Sequence, residues 1–437
     1  MTKDFRNTYS LKSLTMWIIP SIFFMFQFIP RLWLGQNADH IRGQLSIDWQ
    51  CFGYINALYY FGYAGMQIPV AMMLDRFQPR YVISSLIALL SLSFLAFTLT
   101  DNWMVAAGAR FFIGIGSAAG FLGVSKIISQ WFDRKTYSKL LGISIAFGIL
   151  GAVYGGGPTY VLVQKYGVDT VAFGIVGVGL ALALAVFFSV RSPEKSHENN
   201  EKLTIAHLKE LISSPTIWIL GAVNLLLVGP LEGFADLWGE RYLVDYFGFE
   251  KTRALELVSF IFIGLISASP ITPWIGKKIG DYALINVCGL GIVLCFMVLF
   301  MHWAPSWWGV ATTLFMIGAF SAYQTNLLSA GSEMVRPVLM GVTIAFLNSW
   351  NMSGGSVFHP LVGMIMDSGK TGESNLMGDI IAFLDSWNIF GGATGQSNLV
   401  SESTYIAALS TIPLAATIGV VLMFFIGIIH YKKNRLK

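Results

Sequence analysis

Charge is what this chain has least of. Asp, Glu, Lys and Arg make up only 12% of its 437 residues, against roughly 25% in a soluble domain. The shortage is patterned. No charged residue falls between Trp49 and Leu74, Leu140 and Gln164, Thr170 and Val190, or Pro305 and Ser332. Each gap matches or exceeds the ~20 residues that cross a bilayer core as a helix. A water-soluble fold would have to bury several helices of that length completely. Cysteine is scarce too: Cys51, Cys288 and Cys295 all lie in apolar segments, with neither metal spacing nor a disulfide framework. No Gly-Lys-Ser/Thr follows a glycine-rich stretch, so residues 151–157 are a surface for close helix packing and not a phosphate loop. No Ser/His/Asp or metal constellation supports an enzyme, and no cofactor is implied. The net charge of +4 reflects topology rather than nucleic-acid binding.

What the chain has is apolar length, 55% hydrophobic residues in all. Twelve spans can be read, near 14–34, 49–73, 81–100, 104–130, 138–164, 170–190, 215–238, 254–275, 283–303, 307–332, 338–366 and 404–430. This defines an all-α membrane protein with twelve transmembrane helices. The first apolar run carries no small-residue cleavage site and continues into Arg31, so it is expected to stay as a span and not act as a cleaved signal. With the N-terminus in the cytoplasm, the cytoplasmic loops hold about three times as many Lys and Arg as the far-side loops, which places both termini inside. The basic end, Lys432, Lys433, Arg435 and Lys437, reads as an anchor near anionic lipid.

The halves of the chain resemble each other. Residues 140–147 read LLGISIAF and residues 339–346 read LMGVTIAF, each followed by a glycine pair, Gly155-Gly156 and Gly354-Gly355. Arg31-Leu32-Trp33 matches Asp236-Leu237-Trp238, and Gly114 with Ser117 matches Gly318 with Ser321. All four matches lie about 200 residues apart. Two pseudo-symmetric six-helix halves follow, residues 1–190 and 215–437, with a cytoplasmic linker at 191–214. Parallel repeats of this kind place the substrate path between the halves. In the linker, Leu203, Leu208, Leu211 and Ile212 share one side of a short amphipathic helix on the cytoplasmic face. The Gly/Ser/Asn-rich stretch 367–403 reads as a far-side surface loop, with a possible short helix over 379–387.

Twelve spans in a 6+6 repeat, DRFQPR between spans two and three, and ARFFIGIGSAAG in span four resemble the major facilitator superfamily. Its first signature, roughly Gly-x-x-x-Asp-Arg-x-Gly-x-Arg, is matched at Asp75, Arg76 and Arg80, with Ala71 and Gln78 in place of the glycines. Its second is matched at Arg110, Gly114 and Gly116. PRLWLG, NALYYFGYAGMQIP, GVSKIISQWF and ADLWG resemble a bacterial inner-membrane group within it, mostly of unassigned substrate. That group typically has Glu-Phe-Phe-Leu-Arg in span one, where Gln27-Phe28-Ile29-Pro30-Arg31 stands here, so a carboxylate is missing. The resemblance implies secondary transport in a cell inner membrane, and it gives Arg110 a part in proton coupling or cavity structure.

Charged residues inside spans are costly and face a cavity or a partner. The repeat sets Arg31 opposite Asp236 and Gln27 opposite Glu232, with Asn224 two turns below Glu232. Arg31, Gln27, Lys126 and Asn224 are therefore candidate substrate-binding residues. Lys126 also reads as a lysine snorkelling to the interface. Glu232, Asp236 and His359 are candidates for proton coupling. Glu232 is expected to be the main carrier, deeper than Asp236 and next to a kink at Pro230, while His359 also reads as a packing histidine. Asp75, Arg76, Arg80 and Arg110 are assigned gating or structural parts, Asp75 as a latch facing the N-terminal end of span eleven.

The expected function is alternating-access transport, coupled to protons, of a small polar solute bearing an anionic group: an amino acid, short peptide or organic acid. The expected partners are that solute, protons and the bilayer, with the protein a monomer. The abundant aromatics leave an exporter of drugs or siderophores open, and outside transport there remain a membrane receptor and a membrane-embedded enzyme.

Overall fold

The computed structural model describes residues 10–193, 205–336, 339–371 and 402–435. Among them the chain is helical nearly throughout, with no strand. The short helix expected over 379–387 lies outside the described residues. The expected spans are present, several with a break that the sequence explains.

Span one runs Leu11–Phe26 and Phe28–Gln36. Ser10 caps it by accepting from the Ser13 N–H at 3.1 Å. It is interrupted at Gln27, where Pro30 brings no N–H for the Phe26 carbonyl. Trp49–Arg76 forms span two and Pro79–Leu99 span three. Only Phe77 and Gln78 lie between them, and Pro79 opens the next helix at a position where its missing N–H costs nothing. Span four is Trp103–Ser117 with Ala119–Trp131, span five Arg134–Gly155 with Gly157–Tyr166, and span six Val168–Ser189. The linker forms the amphipathic helix Ile205–Ile212, with Leu211 buried.

Span seven is Pro215–Gly233, then a wide π-turn at Phe234–Trp238, then Gly239–Asp245. The sequence points to an irregularity at Pro230, but the helix runs through that residue and the irregularity falls one turn later. Span eight is bent by 56° between Lys251–Ala268 and Thr272–Ile279, where Pro270 and Pro273 interrupt the backbone ladder. Asp281–Phe300, Trp307–Ser321 with Gln324–Glu333, Met340–Thr371 and Glu402–Arg435 complete the twelve.

By length and composition eight of these helices could cross a membrane on their own, or nine with the bent pair. Spans two, ten and eleven fall outside that set. They carry Gln50, Asn56 and Gln67, then Gln324 and Asn326, then Asn348 and Asn351. These amides mark where the interior is built for something other than lipid.

Contacts divide the chain into two compact units. The first is Met1–Trp33, Phe61–Ile217 and Leu328–Ser349; the second is Leu34–Tyr60, Trp218–Leu327 and Trp350–Lys437. In the first, span three packs on spans four and six, and span one packs on Ala119–Trp131 and Arg134–Gly155. In the second, span nine packs on spans ten and twelve, the same pattern one repeat later. The repeat is also visible in single contacts. Gly62 lets its helix close on the carbonyl of Phe111, and Gly264 does the same against Phe315. A side chain at either glycine would collide with that carbonyl.

Candidate functional site

In the second unit Asp236 sits on the π-turn, only 6% exposed. A π-turn carries one extra residue, so it re-aims the side chains that follow. The hydroxyl of Tyr60, from span two, donates to Oδ2 of Asp236. The ring of His359, from span eleven and fully buried, lies 5.2 Å from the Tyr60 ring at 37°. Tyr60 packs flat against Gly355, where a Cβ would come within 2.5 Å of the ring. Two of the three residues expected to couple protons are thus bridged by a tyrosine. Glu232, expected to be the main carrier, is half-buried one turn earlier, while Asp236 and Trp238 on the π-turn are both buried. Asn224 is buried lower on the same helix.

A carboxylate and a hydroxyl held in this way can exchange a proton. Ionised, Asp236 only accepts; protonated, it gains an O–H donor and keeps an acceptor oxygen. Protonation therefore adds a donor beside Tyr60, and Tyr60 touches the third element.

In the first unit Gln27, at the break in span one, and Arg31, one turn beyond it, are both buried. The Arg31 guanidinium lies 5.2 Å from the centroid of Phe28. It is close enough to Tyr63 to act on it electrostatically, and Tyr63 also meets Gln67 and Asn348. Asn348 Nδ2 donates to Gln67 Oε1 at 3.0 Å, and Ser349 donates to the Ala64 carbonyl at 2.8 Å. Spans one, two and eleven so contribute a cation, a phenol and two amides to one polar set. Arg110 is 1% exposed and donates to the carbonyls of Pro30 at 2.8 Å and Arg31 at 3.2 Å. It holds the backbone that carries Arg31.

Lys126 stands apart from that set. Its Nζ donates to Asp75 Oδ1 at 2.6 Å, tying the last turn of span two to span four. Arg76 is exposed, and Arg80 stacks on Tyr81 at 4.4 Å. The second unit has an equivalent tie that the sequence did not suggest: Asn326 Nδ2 of span ten donates to Asp281 Oδ1 at 2.7 Å. Among the described residues no group of His, Cys, Asp or Glu is placed to hold a metal ion.

Charge was the signal used to find the site, and Tyr60, Tyr63, Gln67 and Asn348 carry none. Their signal was present in another form, as uncharged polar residues in the middle of spans that lipid alone would fill with Leu and Val.

A helical bundle of twelve spans with buried polar sets defines a multi-pass membrane transporter. The sequence profile of the Major Facilitator Superfamily matches residues 11–359, and the chain belongs to that family; it is a transporter and not an enzyme. A probable sulfoacetate transporter of Cupriavidus necator is 23% identical over 192 residues, 44% of each chain, so less than half of that relative's length is spanned. A probable galactarate/D-glucarate transporter of Escherichia coli is 20% identical over 405 residues, covering 82% of this chain and 88% of that one. Among solved structures, a bacterial homologue of the human lysosomal transporter Spinster, inward-facing and unoccupied, superposes with a TM-score of 0.67 at 16% identity, over 95% of both chains.

Proposed function

We propose that this protein carries a small organic anion across the inner membrane by alternating access, coupled to protons, with both termini in the cytoplasm. The observation that carries the reading is the buried Asp236 carboxylate, hydrogen-bonded to Tyr60 beside His359. A carboxylate within a spanning helix is costly and is kept where it has work to do. Arg31, with Tyr63, Gln67 and Asn348 near it, supplies a cation and neutral donors for an anionic group. Both relatives named above are named for organic anions.

The roles divide as follows. Asp236 takes the proton, Glu232 and His359 pass it on, and Gln27, Arg31 and Asn224 serve the solute. Lys126, committed to Asp75, acts on the cytoplasmic hairpin together with Arg76 and Arg80. Proton and anion then cross as a nearly neutral load, which avoids moving an uncompensated charge through the bilayer, and their binding is positively linked.

The test is uptake into proteoliposomes with sulfoacetate, galactarate, amino acids and dipeptides, with and without an inward proton gradient. At least one organic acid should accumulate only with the gradient. Asp236→Asn should keep solute exchange and lose accumulation, with Glu232→Gln the milder variant. Accumulation by Asp236→Asn with pH as the sole driving force removes Asp236 from the coupling role.

A further inference from the structure

The inner ends of spans one, three, four and six meet in the first unit around Arg191, the first residue of the linker. The indole N–H of Trp131, at the end of span four, donates to the Arg191 carbonyl at 2.9 Å. Lys12, in the first turn of span one, holds its Nζ 5.8 Å from the centroid of the same indole. The Arg191 main-chain N–H donates to Sδ of Met16 at 3.1 Å, which seats span one there as well. On the other flank the ring of Tyr81, at the start of span three, lies 5.9 Å from that of Phe187 in span six. The Arg80 guanidinium stacks on Tyr81 at 4.4 Å. Three cations, from the ends of spans one, three and six, thus share one aromatic belt.

The two arginines keep donors in reserve. Arg191 uses only Nη1 on its own helix, for the carbonyls of Phe187 at 2.9 Å and Val190 at 3.0 Å, which leaves Nη2 and Nε for another acceptor. Arg80 donates from Nη2 to the Tyr81 hydroxyl, while its Nε is buried with no hydrogen-bond partner among the described residues. A buried donor on a charged group is costly until an acceptor reaches it. Beside these cations Tyr81, Phe187 and Phe188 are 45%, 39% and 66% exposed. Acyl chains would cover those rings where water would not. Asp75, Asp133 and Glu210 lie at the same end, and each is engaged, with Lys126, with the Thr136 N–H and with Arg336. The amine of a zwitterionic headgroup would find those carboxylates taken.

We propose that this notch binds one anionic phospholipid, its phosphate between Lys12, Arg80 and Arg191 and its chains along Phe187 and Phe188. The guanidinium fork matches the spacing of phosphate oxygens, and basic pockets between spans at the inner face suit such headgroups. Free phosphate shares the headgroup's chemistry but gains nothing from the apolar wall. Since Arg191 opens the linker, a bound lipid fixes the point at which the linker leaves the first unit. The inner side is that of the orientation proposed above; the binding itself does not depend on it.

The experiment is native mass spectrometry of the protein in a non-ionic detergent, titrated with phosphatidylglycerol, with phosphatidylcholine and with glycerol 3-phosphate. Phosphatidylglycerol should give a one-to-one adduct at concentrations severalfold below those phosphatidylcholine needs, and glycerol 3-phosphate should give none. Arg80→Gln and Arg191→Gln should each weaken the phosphatidylglycerol adduct severalfold. The triple variant with Lys12→Gln should bind the two lipids alike. Lys165→Gln removes a cation that sits over Tyr166 at 5.1 Å at the opposite end of span five, and should leave the adduct unchanged. Should the triple variant fail to fold, Arg191→Lys keeps the charge without the fork and should weaken the adduct less than Arg191→Gln. Equal binding of the two lipids by the parent protein overturns the proposal, as does a triple variant that keeps the preference. A loss from Lys165→Gln equal to that from Arg191→Gln overturns the site and leaves only general charge attraction. Glycerol 3-phosphate bound as tightly as phosphatidylglycerol overturns the lipid as occupant.

Discussion

Arg110 shows what a single buried charge can do without touching a solute. Its guanidinium is fully enclosed and donates to two main-chain carbonyls of span one, at Pro30 and Arg31. Hydrogen bonds to a charged group contribute about 1.5–3 kcal/mol each. Arg110→Met removes two, and should cost on the order of 3 kcal/mol, read as a lowered melting temperature in detergent. Arg110→Lys keeps the charge but not the planar fork that reaches two acceptors, and should recover part of the loss. A melting temperature unchanged in both variants would leave Arg110 with no bracing role. The sequence located this arginine through the family signature; it could not say that the acceptors are backbone, because a carbonyl has no residue code.

Among the elements, the linker helix is the one whose role can be separated most cleanly from transport. Ile205–Ile212 buries Leu211 and leaves Ile212 half exposed, and Glu210 pairs with Arg336 in the loop before span eleven. Leu211→Asp places a charge where the helix seats and should lower stability by about 2 kcal/mol or more. Ile212→Asp should stay within about 0.5 kcal/mol. Equal losses from the two would show that the helix is not docked on that face. This element was legible from the spacing of four apolar residues. The π-turn of span seven was not, since nothing in a run of apolar letters separates a turn of five residues from one of four. Asp236 is the carboxylate that this turn carries, and it is more fully buried than Glu232.

At the scale of the whole molecule the duplication reappears as chemistry. Asp75 holds Lys126 in the first unit and Asp281 holds Asn326 in the second, at 2.6 and 2.7 Å. Lys126 and Asn326 are about 200 residues apart, the spacing of the repeat. Lys277-Lys278 stands in the second hairpin where Asp75-Arg76 stands in the first, so the hairpin sequence itself offers no counterpart of Asp75. The structure shows a tie in each unit, one ionic and one neutral. The correspondence was hidden because the second carboxylate lies past the hairpin, on the first residue of span nine. Lys126→Asn, at a pair that is partly exposed, should shift stability by no more than about 1 kcal/mol; Asn326 is buried, so Asn326→Lys is tolerated to a similar extent only if the new ammonium pairs with Asp281. Lys126→Leu and Asn326→Leu leave a carboxylate without its donor and should cost more. Thermal unfolding of the four variants decides it, and a costly Asn326→Lys would mean that the two ties are not equivalent.

The π-turn also has a genealogical meaning. Adding one residue to an α-helix turns everything beyond it by about 100° and moves it by about 1.5 Å. A five-residue turn absorbs that addition locally, so the helix on either side keeps its packing. The repeat nevertheless keeps one register across Phe234–Trp238, with Gln27 against Glu232 and Arg31 against Asp236. The turn is therefore a change of winding in the second copy and not an added residue. Asp236 shares its ancestral position with Arg31, and the two copies parted there in the sign of their charge.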